Sequence, residues 1–223
     1  MPVRNLEQIS TQLESANSKD RMLALASLRE VDAEQAVPLI KKVLEDENLQ
    51  VRSMAVFALG IKQTPECYPI LIKLVQEDED YSIRADAAGA LGYLEDERAF
   101  STLVRTFYED TSWLVRFSAA VSLGNLKDPR AYDVLVEALD CEETVLQQAA
   151  IAALGEIEAV EAVSQILRFA QSEDWLVRQR VMEALGNLPC QKSIAALEYF
   201  SKDPNPQVAQ AAALNLQRLT ESI

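Results

Sequence analysis

The sequence contains no histidine, and its three cysteines lie far apart. Cys67, Cys141 and Cys190 form no Cys-x-x-Cys pair, so a zinc ion would find no ready set of ligands. A cysteine nucleophile activated by histidine is excluded because the base is missing. The odd number of isolated cysteines favours free thiols in a reducing compartment. We therefore expect no metal site.

Glycine and proline are scarce, with six and eight residues in a chain of 223, so broad disorder is not expected. No apolar run approaches the roughly 18 residues of a membrane span. The first seven residues carry no apolar segment of the signal-peptide kind. Hydrophobic residues make up 49% of the chain, enough to fill a large core. We expect a soluble, cytoplasmic protein that does not insert into a membrane.

Positively charged residues are also scarce. The chain has 21 lysines and arginines but 35 aspartates and glutamates, which gives a net charge of −14. A nucleic-acid-binding surface needs many cations to neutralise phosphates, so that class of function is not expected. Anionic membrane surfaces are disfavoured for the same reason. The acidic balance fits a basic protein partner, although high solubility explains it equally well.

One motif recurs along the chain: Val-Arg or Ile-Arg, two variable residues, Ala, and Leu-Gly four residues further on. The copies cover residues 51–60, 83–92, 115–124 and 177–186, the last with Val181 in place of the alanine, and residues 146–155 form a copy with glutamine in place of arginine. The motif glycines follow one another at intervals of 32, 32, 31 and 31 residues. A fixed period of this size is typical of a solenoid built from stacked repeats.

Extending this register in both directions gives seven units in one domain, residues 1–223. A second amphipathic helix, with apolar residues three and four apart, precedes the motif in each unit, for example at residues 36–44, 68–75 and 162–170. We therefore predict an all-α fold, an α-α superhelix of about seven helix pairs. The approximate unit bounds are 1–30, 31–61, 62–93, 94–125, 126–156, 157–187 and 188–219.

Within the motif helix, the uniform residues have structural interpretations. The small alanine allows neighbouring helices to approach closely, and the acidic linkers before the helix complement its dipole. The glycine is expected to end the helix as a left-handed C-cap. The repeated arginine at 52, 84, 116 and 178 is either an anion ladder or a structural group bound to an Asp or carbonyl of the adjoining unit, and we favour the second interpretation.

The helix pairs, the position of the arginine and the opening Asp128-Pro129-Arg130-Ala131 resemble HEAT repeats. The Val-Arg-x-x-Ala-x-x-Ala-Leu-Gly core resembles the short HEAT-like repeats named after phycobilisome lyases. Between about residues 100 and 215, four segments resemble cyanobacterial phycobilisome-degradation proteins of the NblB type. These segments are residues 108–118, 124–130, 147–156 and 172–180.

This resemblance implies a phycobiliprotein partner and a role in antenna disassembly or chromophore detachment. The lyase-isomerase relatives carry a His-Cys motif that this chain lacks, so their activity is not implied. Because the lyases work as two-chain complexes, a second HEAT-repeat chain is a further candidate partner. No resident cofactor is expected, although a bilin such as phycocyanobilin is a candidate for transient contact.

The candidate binding residues are those that differ between copies of the motif helix, which would line the concave face of a HEAT solenoid. Met54, Phe57, Phe117 and Val121 stand where other copies carry polar or small residues, which favours a binding patch in the front half of the chain. An alternative is that the two phenylalanines pack into the groove between units. The sequence leaves both possibilities open.

Two tryptophans, Trp113 and Trp175, occupy the same place in their units, each directly before Leu-Val-Arg, and Tyr81 is near the equivalent place. Such aromatics could stack on a flat chromophore or anchor a protein, or they could simply close the edge of the core. Three nearby cations, Arg116, Arg178 and Arg180, are candidates for pairing with bilin propionates.

No catalytic residue can be assigned, since the sequence has no carboxylate pair apart from the linkers, no phosphate-binding glycine loop and no Gly-x-Ser-x-Gly turn. The sequence therefore predicts a phycobiliprotein-binding protein that acts in phycobilisome degradation or chromophore handling through its concave face. A bilin lyase or chromophore-detaching enzyme and a general scaffold without a bilin role remain alternatives.

Overall fold

Seven consecutive helix pairs make up residues 6–221, the part of the chain that the computed structural model describes. The predicted all-α fold of seven pairs is thereby confirmed, and no strand occurs in this range. Residues 1–5, which open the first predicted unit, lie outside the described range. The pairs are α1 (Leu6–Leu13) with α2 (Ser18–Ser27), α3 (Ala33–Lys41) with α4 (Leu49–Lys62), α5 (Cys67–Glu77) with α6 (Tyr81–Leu94), α7 (Phe100–Glu109) with α8 (Trp113–Asn125), α9 (Tyr132–Ala138) with α10 (Thr144–Glu156), α11 (Val163–Ile166) with α12 (Trp175–Leu185), and α13 (Gln191–Phe200) with α14 (Pro206–Glu221).

The helices belong to two compact units, each larger than a single repeat, which divide within α8 between residues 119 and 120. We call these two the first and second unit, and we call the seven helix pairs repeats. In the first unit, α6 packs against both α4 and α5. In the second unit, α12 packs against α10 and α14. The single domain predicted for residues 1–223 stays a prediction. One predicted helix, residues 162–170, is shorter than expected because α11 gives way to a 3-10 turn at Leu167–Phe169.

Side-chain caps fix where several of the second helices begin. The side chain of Asn48 accepts a hydrogen bond from the N–H of Gln50 at 3.0 Å, and Asp80 accepts one from Ser82 at 2.8 Å. Asp174 caps α12 in the same way, through the N–H of Leu176 at 2.9 Å. Each cap satisfies a helix N–H that has no partner within the helix. The acidic caps confirm that the linkers place negative charge at these helix starts.

Four of the five motif glycines lie inside their helices, and the fifth, Gly186, follows α12 with a right-handed φ of −63°, so the predicted left-handed C-cap was wrong. Gly60, Gly124 and Gly155 lie inside α4, α8 and α10, and no described glycine has a positive φ. The left-handed position falls three residues after the motif glycine and is taken by Gln63, Glu95, Lys127 and Glu158.

Close contact with the next second helix explains the glycines instead. A Cβ built on Gly60 would lie 2.9 Å from both Cα and Cβ of Ala90. At Gly124 the corresponding distances to Ala153 are 2.8 Å. A hydrogen at Gly60 is therefore what allows α4 and α6 to approach at this point. The alanine on the facing helix serves the same purpose.

The uniform apolar positions of the motif form the core of each unit. In the first unit they are fully buried at Val51, Leu59, Ile83 and Leu91, and their counterparts in the second unit are Leu146, Leu154, Val177 and Leu185. None of the described helices is both long and apolar enough to cross a membrane.

The contacts predict opposite effects of alanine at two glycines of the first unit. Gly60→Ala should lower the free energy of unfolding by about 2 kcal/mol, because the added methyl overpacks the contact with Ala90. Gly89→Ala should raise it by about 0.5–1 kcal/mol, because a Cβ there meets nothing within 4 Å and alanine favours the helix. Urea unfolding followed by circular dichroism measures both. Equal effects of the two substitutions would contradict this account.

Candidate protein-interaction surface

The repeated arginine joins neighbouring repeats. Arg84 donates two hydrogen bonds to the carboxylate of Asp110, from Nε at 2.8 Å and from Nη2 at 3.1 Å, and its Nη1 donates to the carbonyl of Asp78 at 3.0 Å. Arg178 repeats this arrangement with Asp203 at 3.1 and 3.0 Å, and with the carbonyl of Ser172 at 2.7 Å. The structural interpretation of these two arginines is thereby confirmed.

The acceptor aspartates also organise the next helix start. Asp110 accepts from the N–H of Ser112 at 2.8 Å, and Asp203 accepts from the N–H of Asn205 at 2.8 Å. The hydrogen bonds from Arg178 lower the pKa of the Asp203 carboxyl below its ordinary value. Each such Asp thus links the arginine of one repeat to the first turn of the next second helix.

The link recurs in the first repeat, where Arg21 donates to Asp46 at 2.7 Å and to the carbonyl of Ser15 at 2.8 Å. The copies at residues 52 and 147 share only the bond to the carbonyl. Gln147 donates to the carbonyl of Cys141 at 2.8 Å, the same carbonyl position that the arginines use. Arg52 likewise donates to the carbonyl of Asp46 at 2.9 Å. Arg116 differs, because its Nε donates to the carbonyl of Phe107 at 3.2 Å and its guanidinium lies 5.4 Å from the centre of the Phe107 ring.

The predicted aromatic position is the first residue of the second helix. Tyr81, Trp113 and Trp175 begin α6, α8 and α12, and Leu49 begins α4. Tyr81 and Trp113 are 53% and 52% exposed, whereas Trp175 is half-buried. These exposed rings are available for contact with a ligand, and whether they bind one stays a prediction.

A second exposed apolar group lies near the carboxyl ends of α4 and α6. The ring of Phe57 is 52% exposed and meets the ring of Tyr93 edge-on, with centroids 6.0 Å apart. Tyr93 and Ile61 are each 50% exposed. Phe57 is therefore half exposed where it meets the next repeat, and its role in a binding patch stays a prediction. Met54, one turn before it on α4, is half-buried.

Sequence reasoning missed Ile61 and Tyr93, although the repeat register contains the signal. Ile61 follows Phe57 by one helical turn, and Tyr93 occupies in its motif the place that Ile61 occupies in the preceding one. Extending the comparison of copies one residue past the motif glycine would have found both.

At the other end of the same two helices, a polar contact joins α4 and α6. The Asp86 carboxylate is half-buried, and the side chain of Ser53 on α4 lies close to it. Burial raises the pKa of Asp86 above its ordinary value, and the nearby charge of Asp80 adds to this effect. Gly89 follows Asp86 by one turn and Tyr93 by two, on the same side of α6. We call the surface formed by Ser53, Phe57, Asp86, Gly89 and Tyr93 the α4–α6 face.

The remaining predicted residues have varied surroundings. Phe117 lies half-buried on α8 in the first unit, and Val121 lies half-buried on the part of α8 in the second unit. Arg180 is exposed and pairs with Glu183 of the same helix at 2.9 Å. Arg178 already holds Asp203, so a bilin propionate would have to compete with that carboxylate.

The grooves contain polar groups that already have partners. A groove of about 320 Å³ in the first unit is lined by Arg84, Arg105 and Asp110 among others. Arg84 binds Asp110, and Arg105 binds Glu109 at 2.7 Å. Among residues 6–221, no cluster of three or more potential metal-binding side chains occurs. The three cysteines are free thiols.

Paired helices with this stacking define an α-helical repeat protein whose exposed surface suits protein binding. The chain belongs to the HEAT-repeat family, because the family model for HEAT repeats matches residues 6–88, 68–155 and 133–217. No curated protein matches the chain in sequence at a significant level.

Solved structures share the fold at low sequence identity. The complex of CpcE and CpcF of phycocyanin lyase from Nostoc sp. PCC7120 is similar with a TM-score of 0.66 and 19% identity, over 98% of this chain and 96% of that chain. Kap95p bound to RanGDP is similar with a TM-score of 0.60 and 15% identity, over 97% of this chain and 35% of that chain. An engineered protein gives 0.57 and 21%, over 96% and 68%. At these identities the likeness shows the fold alone.

The link between Arg178 and Asp203 predicts a large, pH-dependent contribution to stability. Arg178→Met should lower the free energy of unfolding by about 3 kcal/mol at neutral pH, because it leaves a buried carboxylate without its partner. Since the pKa of Asp203 is lowered in the folded chain, this contribution is present above the unfolded value of about 3.9 and is lost as the pH falls through the folded value. Urea unfolding at a series of pH values measures it.

Arg180→Met serves as the matched control, because Arg180 lies on the same helix and pairs only at the surface. Its effect should stay within about 0.5 kcal/mol at every pH. A similar loss of unfolding free energy in both variants would show that the bond between Arg178 and Asp203 contributes no more to stability than a surface ion pair.

Proposed function

We propose that this HEAT-repeat protein binds a phycobiliprotein subunit and acts in phycobilisome degradation or chromophore handling. The observation that carries the binding role is the exposed pair of Phe57 and Tyr93 on neighbouring second helices. Large aromatic side chains that stay half exposed in a well-packed helical protein favour a protein-interaction surface.

The choice of partner is supported by two likenesses. The segments between residues 100 and 215 resemble phycobilisome-degradation proteins of the NblB type. The fold is similar, over nearly the whole of both chains, to a complex of phycocyanin lyase. Because that complex contains two chains, CpcE and CpcF, a second HEAT-repeat chain is part of the proposal as a further partner.

A binding role is favoured over catalysis by the chemistry of the available groups. The chain has no histidine, and the arginines at 84 and 178 are held by carboxylates. The second candidate function is enzymatic: the protein attaches a bilin to a phycobiliprotein, as a lyase, or detaches it. It is favoured by Trp113, whose half-exposed ring begins α8 one turn before Arg116.

Binding to holo-phycocyanin should depend on the aromatic pair of the α4–α6 face. The double variant Phe57→Ala, Tyr93→Ala should weaken the complex at least tenfold, about 1.4 kcal/mol, because it removes the apolar anchor. Size-exclusion chromatography and biolayer interferometry with purified holo-phycocyanin measure this effect.

Tyr199→Ala is the control for the loss of an exposed aromatic side chain. Tyr199 is 73% exposed and lies on α13, the first helix of the last pair, away from the α4–α6 face in the sequence. Its affinity should match that of the wild type. Absence of co-elution between the wild-type protein and either holo- or apo-phycocyanin would refute the proposed partner.

The visible spectrum of the same mixtures separates the two candidate functions. A binder leaves the phycocyanin spectrum unchanged, whereas detachment produces a progressive loss of bound bilin. If the bilin is contacted, Trp113→Ala should reduce the spectral change, and Trp175→Ala should reduce it to a similar or smaller extent. Tyr108→Ala is the matched control, because Tyr108 is equally exposed and lies on a first helix. An undiminished change in both tryptophan variants would remove them from the site.

A further inference from the structure

The α4–α6 face carries a carboxylate that no cation of the described chain neutralises. Within residues 6–221, no lysine or arginine forms an ion pair with Asp86, and the Ser53 side chain close to it is neutral. The charged group that acts on Asp86 is Asp80, which has the same sign. Keeping such a carboxylate half-buried costs stability, so a partner that supplied a positive charge would be favoured at this point.

Two contacts between α4 and α6 fix the layout of the face. Ser53 lies close to Asp86 at one end, and the rings of Phe57 and Tyr93 meet at the other, with centroids 6.0 Å apart. Asp86 and Tyr93 are seven residues apart on one helix, a separation of about 10 Å along its axis. The face therefore presents a negative group and an apolar group at a fixed spacing. Between them lies Gly89, where a Cβ would meet nothing within 4 Å.

We propose that the α4–α6 face binds an amphipathic helix of a partner protein, in which a lysine or arginine pairs with Asp86 while an aliphatic side chain two turns away packs on Phe57 and Tyr93. A helix is the occupant that the spacing fits, because residues seven apart on a helix share one side and are separated by about 10 Å. The net charge of −14 and the acidic linker Glu77–Asp80 also favour a cationic segment over an acidic one.

This inference rests on the proposed function in that the same face binds the partner, but its chemistry can be tested without a phycobiliprotein. The probe is a synthetic, capped amphipathic helical peptide with one lysine and one leucine seven residues apart on its apolar side. A second peptide carries glutamine in place of that lysine. In a third, the same lysine is moved two residues, to the opposite side of the helix.

Isothermal titration calorimetry with the full-length protein should show that the first peptide binds about tenfold more tightly than either of the others. Asp86→Asn should abolish this preference, leaving the three peptides within about twofold of one another. The variant should also melt at or above the wild-type temperature, because it removes a charge that burial disfavours. A loss of preference in this variant is then not a result of misfolding.

Asp133→Asn is the control for net charge, because Asp133 is exposed on α9 and its replacement changes the charge by the same amount. It should retain the wild-type preference. The inference is overturned if the lysine and glutamine peptides bind equally, or if Asp86→Asn and Asp133→Asn weaken binding alike. Failure of holo-phycocyanin to bind, with the peptide preference intact, would overturn the proposed partner and leave this inference standing.

Discussion

The close approach of successive second helices is the constraint on which each unit depends. A hydrogen at Gly60 faces Ala90, and a hydrogen at Gly155 faces Ala184, where an added Cβ would come within 3.0 Å of the backbone. Helices brought this near leave no room for side chains between their axes at these points. Their larger residues must therefore point either into the core or out to solvent. The outward residues of neighbouring helices consequently form one surface, as the contact between Phe57 and Tyr93 shows.

The arginine link secures the ends of the same helices. While the glycine contact sets the separation near the carboxyl end of the helix, the pairing of Arg84 with Asp110 fixes the linker that precedes the next second helix. A guanidinium committed to a carboxylate and a carbonyl has little capacity left for a ligand. The most regular residues of the sequence are thus those with the least freedom to act on a partner. Ligand recognition falls to the positions at which the repeats differ.

The sequence predicted the features that recur in every repeat and missed those that depend on contacts between particular helices. The period alone located all seven helix pairs, because burial recurs with the register. It misassigned the glycines, because a C-cap and a close helix contact demand the same residue, and only the facing Ala90 distinguishes them. It found Phe57 and Trp113 as departures from the motif. It could not find Asp86, since the significance of that carboxylate arises from its burial against Ser53 on another helix.

Three costly features coincide on the α4–α6 face, and their coincidence is stronger evidence than any one of them. The rings of Phe57 and Tyr93 stay half exposed to solvent. Asp86 is a half-buried carboxylate without a cation among the described residues. Gly89 lies within a helix at a place where no close contact requires a glycine. Each of these would be improved by a simple substitution if stability alone were at stake. Residues that violate the local rules of folding concentrate at functional sites. A ligand that covers the rings and supplies a cation would relieve the first two costs at once, which favours this face over the more regular surface formed elsewhere by the repeats.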